Sequence, residues 1–314
     1  MSVQWLWPRD PEGWTVVDCQ GGLFAVSVKL PTNLNDRAVV QKHVSLPGAK
    51  IDQVNLSYLM KQLNDQSFPL LHILGRKEYQ MFLVEKAAVK PEEMQSSLRW
   101  TVSPLLDYPA VDANLSWMEI PQWSGLINRT PELYVITARS ELIKERMDEF
   151  EQAKLTMKVF DIRETGQRNI SAALKDQEAA VCLIYAESDG VQLTVTYKGE
   201  LHLERYIRES LFDDDENSQT NITEKKFDRV ALEVQRSIDF VHRNASYMPF
   251  DGIFIGPTEK NIGLREKLQS RLLTDVNELD LSTLFEWPAD SDLVVPEVQA
   301  KYFNALGASL RLKN

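Results

Sequence analysis

Two segments of the chain repeat one pattern of apolar strand, acidic turn and alternating strand. The first is Trp14–Leu30, WTVVDCQGGLFAVSVKL, and the second is Ala180–Ile207, AVCLIYAESDGVQLTVTYKGELHLERYI. Alternation with a period of two around a glycine-containing turn predicts a β-hairpin. In the second segment, Lys198-Gly199 predicts a further turn and a third strand. The two copies lie about 170 residues apart, so the pattern predicts an internal duplication.

Between the copies, the periodicity predicts a compact α+β unit in the order strand, helix, strand, strand, helix, strand. Pro91 suits the first turn of the first helix, where its missing N–H is not needed, and Ser140 can cap the second helix. The four expected strands are Tyr79–Val84, Ala113–Met118, Leu133–Ala138 and Thr156–Ile162.

Apolar residues at spacings of three and four predict further helices, so the chain belongs to the α/β class. The clearest helix spans about Thr223–Arg243 and follows an acidic stretch, Asp213–Thr220, that is typical of a solvated loop. The other expected elements are helices at Asp52–Leu63, Glu164–Leu174 and Lys301–Arg311, and strands at Leu70–Leu74 and Gly252–Gly256.

The composition limits the classes of function. Of 314 residues, 43% are hydrophobic and 26% are charged, which is ordinary for a globular protein of about two domains. The formal net charge of −11 disfavours a general affinity for nucleic acid or anionic membranes. No stretch is apolar enough for a membrane span, and the N-terminus lacks a signal-peptide pattern. The usual phosphate-loop, hydrolase and zinc motifs are absent from the sequence, so no catalytic residue and no metal ligand is expected.

Several phrases of the sequence, taken in order, resemble the PilM family of type IV pilus assembly proteins. A further phrase, Pro91–Pro109 (PEEMQSSLRWTVSPLLDYP), is most similar to the MshI branch, which serves the mannose-sensitive haemagglutinin (MSHA) pilus. The resemblance covers nearly the whole chain. The phrases that carry it are Glu164–Leu174 (ETGQRNISAAL), Lys198–Ile207 (KGELHLERYI), Leu232–Phe240 (LEVQRSIDF), Ile262–Leu264 and Ala305–Arg311 (ALGASLR).

The resemblance implies an actin-like (RNase H-like) duplicated α/β fold with an inserted SHS2-like α+β subdomain. In this interpretation, residues 1–76 and 163–178 form the first actin-like subdomain, and residues 77–162 form the inserted unit. Residues 179–314 form the second actin-like subdomain, in which the insertion that covers the nucleotide is reduced.

The resemblance also implies a function. PilM-like proteins bind ATP between the two halves, and a groove beside the inserted subdomain holds the cytoplasmic tail of a membrane-anchored pilus protein. The expected protein is therefore a cytoplasmic scaffold that is peripheral at the inner membrane through a PilN/MshJ-like partner. The assembly motor ATPase is a further candidate partner, and nucleic acid is not.

The hairpin tips of the implied nucleotide site depart from the family pattern. The first tip keeps Asp18 and two glycines, but Gln20 places a Cβ where phosphate must approach the backbone. The second tip, Glu187-Ser188-Asp189-Gly190, has its acid in an altered register. The remnant of the site comprises Asp18, Gln20, Gly21, Gly22, Glu187, Ser188, Asp189, Gly190 and Gly256.

The late turn, Gly256-Pro257-Thr258-Glu259, departs further. Pro257 has no N–H to donate, and Glu259 adds negative charge near the expected phosphates. The stretch Arg208–Thr220 is also shorter than the family's covering insertion. We therefore expect a degenerate site without bound ATP or Mg²⁺ and without hydrolysis, in which Asp18 and Asp189 are ordinary turn acids.

The resemblance places the partner groove between the first half and the inserted unit. Its candidate residues are Arg99, Trp100, Arg168 and Asn169, although a structural salt bridge is the competing interpretation for each arginine.

Two other functions stay open on the sequence alone. One is an ATP-binding switch of the same fold, and the other is the cytoplasmic domain of a type II secretion L-type protein. L-type proteins continue into a membrane span, which this sequence lacks.

Overall fold

A computed structural model describes residues 12–33, 36–65, 67–121, 130–174, 178–212, 220–244 and 248–311. Most of the acidic stretch, residues 213–219, lies outside these ranges. The strands are β1 (Gly13–Cys19), β2 (Gly22–Lys29), β3 (Ala38–Pro47), β4 (Leu70–Ile73), β5 (Gln80–Glu85), β6 (Ala113–Glu119), β7 (Glu132–Arg139), β8 (Met157–Asp161), β9 (Ala180–Glu187), β10 (Gly190–Tyr197), β11 (Glu200–Ile207), β12 (Phe250–Ile255), β13 (Val276–Glu278) and β14 (Phe285–Glu286). The helices are α1 (Gln53–Leu63), α2 (Pro91–Val102), α3 (Ser140–Gln152), α4 (Arg163–Ala173), α5 (Thr220–Asn244), α6 (Leu264–Gln269) and α7 (Pro296–Ser309).

The two large sheets share the same order of five strands, and the first sheet has a sixth strand, β14, at its edge. The first sheet runs β14-β3-β2-β1-β4-β8, and the second runs β11-β10-β9-β12-β13. In the first sheet, β1, β2 and β3 are antiparallel neighbours, and β4 and β8 run parallel to β1. In the second sheet, β9, β10 and β11 are antiparallel neighbours, and β12 and β13 run parallel to β9. This shared order confirms the predicted duplication. It also adds β3 (Ala38–Pro47), a third strand of the first copy that the sequence pattern did not reveal.

The uninterrupted apolar run in the second copy follows from the central position of strand β9 in its sheet. Strand β9 pairs with β10 on one side and β12 on the other, and all eight of its residues are buried. A strand that is covered on both faces needs apolar residues at successive positions, so alternation is lost there. The apolar run from Ala180 to Ala186 is therefore a consequence of the position of β9 in the sheet.

The inserted unit forms its own antiparallel sheet in the order β5-β7-β6. Its expected last strand, Thr156–Ile162, does not join that sheet, so the predicted four-stranded unit has three strands. The segment forms β8 instead, which pairs in parallel with β4 through Leu71 and Val159. Sequence order alone did not show which sheet would accept this strand. The chain therefore leaves the first sheet after β4 to form the inserted unit and returns to the same sheet at the neighbouring strand β8.

The longest described helix, α5, is amphipathic. Phe227, Val230, Val234 and Ile238 lie on its buried face in the core of the second half. This spacing of three and four residues matches the predicted stripe. Within the ranges that the structure describes, no helix is both long enough and apolar enough to cross a membrane.

Helices α4 and α7 approach each other closely between the two sheets. A Cβ built on Gly307 would lie 2.6 Å from the backbone oxygen of Gly166, so the contact requires glycine. The Asn169 amide donates to the Gly307 oxygen at 3.1 Å and fixes the same crossing. Helix α7 begins at Pro296 rather than at Lys301 as predicted, because proline suits the first helical position.

We expect Gly307→Ala to lower the free energy of unfolding by about 1–3 kcal/mol, because the new methyl group forces α4 and α7 apart. Urea denaturation measures this change. Gly75→Ala is the matched control, since the nearest atom to its Cβ, in the Glu78 carboxylate, would lie at an ordinary contact distance of 3.4 Å. Equal stability of the two variants would contradict the tight crossing.

Candidate functional site

The two hairpins carry buried acids at corresponding places. Asp18 lies near the end of β1 and Glu187 at the end of β9, and their exposed fractions are 1% and 2%. Ser188 and Asp189 are exposed in the following turn. Asp18 is therefore not an ordinary turn acid as expected, and the acid that corresponds to it in the second copy is Glu187 rather than Asp189.

A single buried cation, Arg163 at the start of α4, lies close to both acids. Its Nη1 donates to Glu187 Oε2 at 2.6 Å. Burial raises the pKa of Asp18, and the Arg163 charge offsets part of that rise. Burial alone would lower the pKa of Arg163, but Glu187 and Asp18 raise it above its ordinary value. A buried carboxylate needs a counter-charge, and here the chain itself supplies it.

Amide groups complete this network. The Asn304 amide of α7 donates to Gln20 Oε1 at 3.2 Å and to Glu187 Oε1 at 3.5 Å. Gln20, which the sequence marked as an obstacle to phosphate, is therefore part of the polar lining between the two hairpins.

The glycines of the two tips are explained by strand packing. A Cβ on Gly22 would lie 2.8 Å from the backbone oxygen of Leu46, and one on Gly190 would lie 2.5 Å from the Tyr206 ring. Gly21 has a φ of 66°, a left-handed conformation that favours glycine. These three glycines need no phosphate to account for them.

A second arginine, Arg76, connects the first half to the second half and to the inserted unit. Its Nη1 lies 3.3 Å from Glu164 Oε1, and its Nε lies 3.8 Å from Glu187 Oε2. Tyr79 donates to Glu164 Oε2 at 2.7 Å. The Arg76 guanidinium also donates to Gln192 and lies 3.8 Å from the centre of the Tyr206 ring.

Glu204 lies at the edge of this network. Burial and the nearby Glu164 charge raise the pKa of Glu204 to about 7. Gln192 donates to Glu204 Oε2 at 3.4 Å, and the Glu204 backbone N–H donates to the Tyr134 hydroxyl of the inserted unit at 3.1 Å. A carboxyl group that takes up its proton near neutral pH therefore lies where the inserted unit meets β11.

The first two residues of the late turn offer no donor to a phosphate. The Gly256 N–H already donates to the Ile184 oxygen at 2.8 Å, and Pro257 has no N–H. A Cβ on Gly256 would lie 3.1 Å from the Phe303 and Tyr185 rings, so aromatic packing accounts for this glycine. The turn lines a cavity of about 560 Å³ at the carboxyl ends of β12 and β13.

A separate groove of about 580 Å³ lies between the inserted unit and the two halves. Lys86 and Glu119 form an ion pair of 2.6 Å on its wall. Arg168 Nη2 donates to Asn169 Oδ1 at 3.0 Å, while the buried Arg168 Nε has no partner in the described structure. The residues that line the groove are Lys86, Trp117, Met118, Glu119, Ile120, Pro121, Pro131, Glu132, Arg168 and Glu200.

The structure separates the four predicted partner residues. Arg168 lines the groove. Asn169 is buried and bonds to Gly307, so its side chain is not accessible to a partner. Arg99 donates to the backbone oxygens of Ala110 and Ala113 rather than forming the alternative salt bridge. Trp100 is 81% exposed on α2 and does not line the groove.

Sequence reasoning missed the arginines of the cleft and most of the groove. Arg76 and Arg163 carry no local signal, because a lone charged residue is normally assigned to the surface. Trp117 shows only as a residue of a predicted strand, and Ile120 lies just after that strand. Among the described residues, no group of three or more His, Cys, Asp or Glu side chains could hold a metal ion.

Two equivalent sheets, a cleft between their hairpins and an inserted unit define an actin-like fold, as predicted. No family model and no curated protein sequence matches the chain. The PilM-PilN type IV pilus biogenesis complex contains a chain of similar fold, with a TM-score of 0.70 and 13% identity, over 94% of this chain and 97% of that one.

Two weaker similarities have TM-scores below 0.5. One is a Bacteroides thetaiotaomicron protein with an actin-like ATPase fold and unknown function (TM-score 0.49, 10% identity, 92% and 95% coverage). The other is the cytoplasmic domain of EpsL, an inner-membrane component of the type II secretion system of Vibrio cholerae (TM-score 0.47, 9% identity, 92% and 94% coverage).

We expect the stability of the protein to fall as the pH rises from about 4.5 to about 7, in part because of Glu204. The folded state holds this proton more tightly than the unfolded chain, whose pKa is 4.5, so the stabilisation is lost as pH passes through about 7. Glu204→Gln should therefore gain about 1–3 kcal/mol relative to the native protein between pH 5 and pH 8.

Urea denaturation at the two pH values measures this gain. Glu200→Gln, at an exposed position on the same strand, is the control. A gain of equal size at pH 5 and pH 8 would show that Glu204 is ionised in the folded protein over this whole range.

Proposed function

We propose that the protein is a scaffold of a type IV pilus assembly platform and holds the cytoplasmic tail of an inner-membrane partner. The observation that carries the proposal is the groove between the inserted unit and the two halves, in a chain that shares its fold with the PilM-PilN complex. The tail would come from a PilN-like protein. The phrase Pro91–Pro109 favours the MSHA branch, with an MshI-like scaffold and an MshJ-like partner.

The chemistry of the groove suits an extended peptide. Trp117, Ile120 and Pro131 provide apolar surface, and Arg168 provides a positive charge. A volume of about 580 Å³ falls in the range of sites that enclose most of a ligand. The apolar surface would take side chains of the tail, while the polar groups at its rim would fix the direction of the tail.

We further propose that the cleft does not bind Mg-ATP and that the protein is not an ATPase. A metal ion between the hairpins would have to displace Arg163 from Glu187, to which Arg163 is bonded at 2.6 Å. In the late turn, the Gly256 N–H is occupied and Pro257 has no N–H to offer in place of the family's glycines. Both features favour a scaffold over an ATP-binding switch.

This function would place the protein in the cytoplasm, at the inner membrane only through its partner. The assembly motor ATPase remains a second candidate partner of the platform.

The N-terminal tail peptide of a PilN-like inner-membrane protein from the same genome should bind in calorimetric titration. Trp117→Ala should weaken binding by about tenfold or more, since it removes apolar surface from the groove. Arg168→Gln tests the polar contact with less risk to folding. Trp100→Ala is the control, because this tryptophan is exposed outside the groove.

Two outcomes count against this proposal. Undetectable binding of the tail at high micromolar concentration would reject the scaffold function. Binding that is weakened by Trp100→Ala but not by Trp117→Ala would place the tail elsewhere on the inserted unit.

Mg-ATP at millimolar concentration should leave the thermal midpoint unchanged. A ligand at 100 times its Kd would add about 2.7 kcal/mol to the free energy of unfolding, which a thermal scan detects readily. The tail peptide in the same assay is the positive control. A clear shift with Mg-ATP would favour the switch.

A further inference from the structure

The cavity at the carboxyl ends of β12 and β13 is not used by the proposed function. It lies where the chain leaves the second sheet and crosses to the first sheet through residues 280–299. In open α/β sheets, ligands bind in crevices outside the carboxyl ends of parallel strands. β9, β12 and β13 are parallel, so the position of the cavity follows that rule.

The inner wall of this cavity is apolar and partly aromatic. Ile255, Leu264 and Leu279 are buried behind it, and the half-buried Trp287 stacks on Phe285 with ring centres 5.5 Å apart. Val294 lines the cavity and is 64% exposed. Apolar surface therefore remains open to solvent at this place, as it does in binding sites.

The remaining lining is acidic. Among the described residues, four carboxylates and one cation line the cavity, and the cation, Arg265, is paired with Glu266 at 3.3 Å. The four acids are Glu266, Glu278, Asp280 and Glu297. Asp280 accepts from the Ser282 N–H at 2.9 Å, whereas Glu278 and Glu297 have no hydrogen-bond or ion-pair partner in the described structure.

This combination excludes anions and favours cations. Unpaired carboxylates repel phosphate, and the Gly256 N–H on the cavity wall is already occupied. A lysine or arginine side chain can instead place its aliphatic stem on apolar surface and its charge near carboxylates. A guanidinium or ammonium group also gains from the face of a tryptophan such as Trp287.

We propose that this cavity binds a basic peptide segment of a partner protein, with a lysine or arginine side chain against Trp287 and its charge near Glu278 and Glu297. The excess of negative charge over the whole chain, with a net charge of −11, would speed the approach of such a segment. The site is separate from the groove of the inserted unit and does not depend on what that groove binds.

A peptide with blocked ends and the sequence GRLKGRLKG is the probe, and GELEGELEG is its acidic counterpart. Titration of the full chain is followed by the intrinsic fluorescence of Trp287, with Trp287→Phe identifying the signal of that residue. We expect the basic peptide to bind and the acidic peptide not to bind. The double variant Glu278→Gln/Glu297→Gln should weaken binding by about tenfold.

The matched control is Glu145→Gln/Glu151→Gln on α3, which removes the same charge from two exposed positions outside the cavity. Binding that falls only in the cavity variant supports the site. An equal loss in both double variants would show general attraction to an acidic protein and would overturn the proposal. Failure of the native chain to bind the basic peptide at about 1 mM would also overturn it, since that limit corresponds to only about 4 kcal/mol.

Discussion

The arrangement of the two halves depends on one buried cation, Arg163, placed beside Asp18 and Glu187. Each half has a buried acid at or near the end of its first strand, and two such acids facing one cleft would repel each other in a medium of low dielectric constant. Arg163 and Arg76 compensate that charge with groups that belong to the chain. The halves are therefore held together by internal ion pairs. Removing one partner would leave an uncompensated buried charge, which is costly.

The duplicated sheets were predictable because their pattern is local. Alternation in β2 and β10 and the apolar run in β9 follow directly from which faces are buried. Strand β3 was missed because its exposed side chains include Lys42, and because it lies beyond a loop rather than a tight turn. The placement of β8 depended on pairing with β4, which no periodicity reveals.

The polar centre of the molecule was not predictable from spacing. Arg76 and Glu164 are 88 residues apart in sequence, and each belongs to a residue type that is normally exposed. The glycines of the hairpin tips did signal tight packing, although they also matched a degraded phosphate site. The structure favours tight packing, because a Cβ at Gly22 or Gly190 would collide with a neighbouring strand. Of the residues that line the groove, the sequence suggested only Arg168, since the inserted unit, α4 and β11 each contribute to its walls.

The attachment of the inserted unit has a consequence for how such proteins can change. Its two ends join β4 and β8, which are hydrogen-bonded neighbours, and the Leu74 N–H donates to the Asp161 oxygen at 2.9 Å. Neighbouring strands lie only about 5 Å apart, so a short connection could replace the whole unit without moving the first sheet. The inserted unit can therefore be gained, lost or replaced as a whole. Evolution can exchange or reshape it, and with it one wall of the groove, while the duplicated core keeps its own packing.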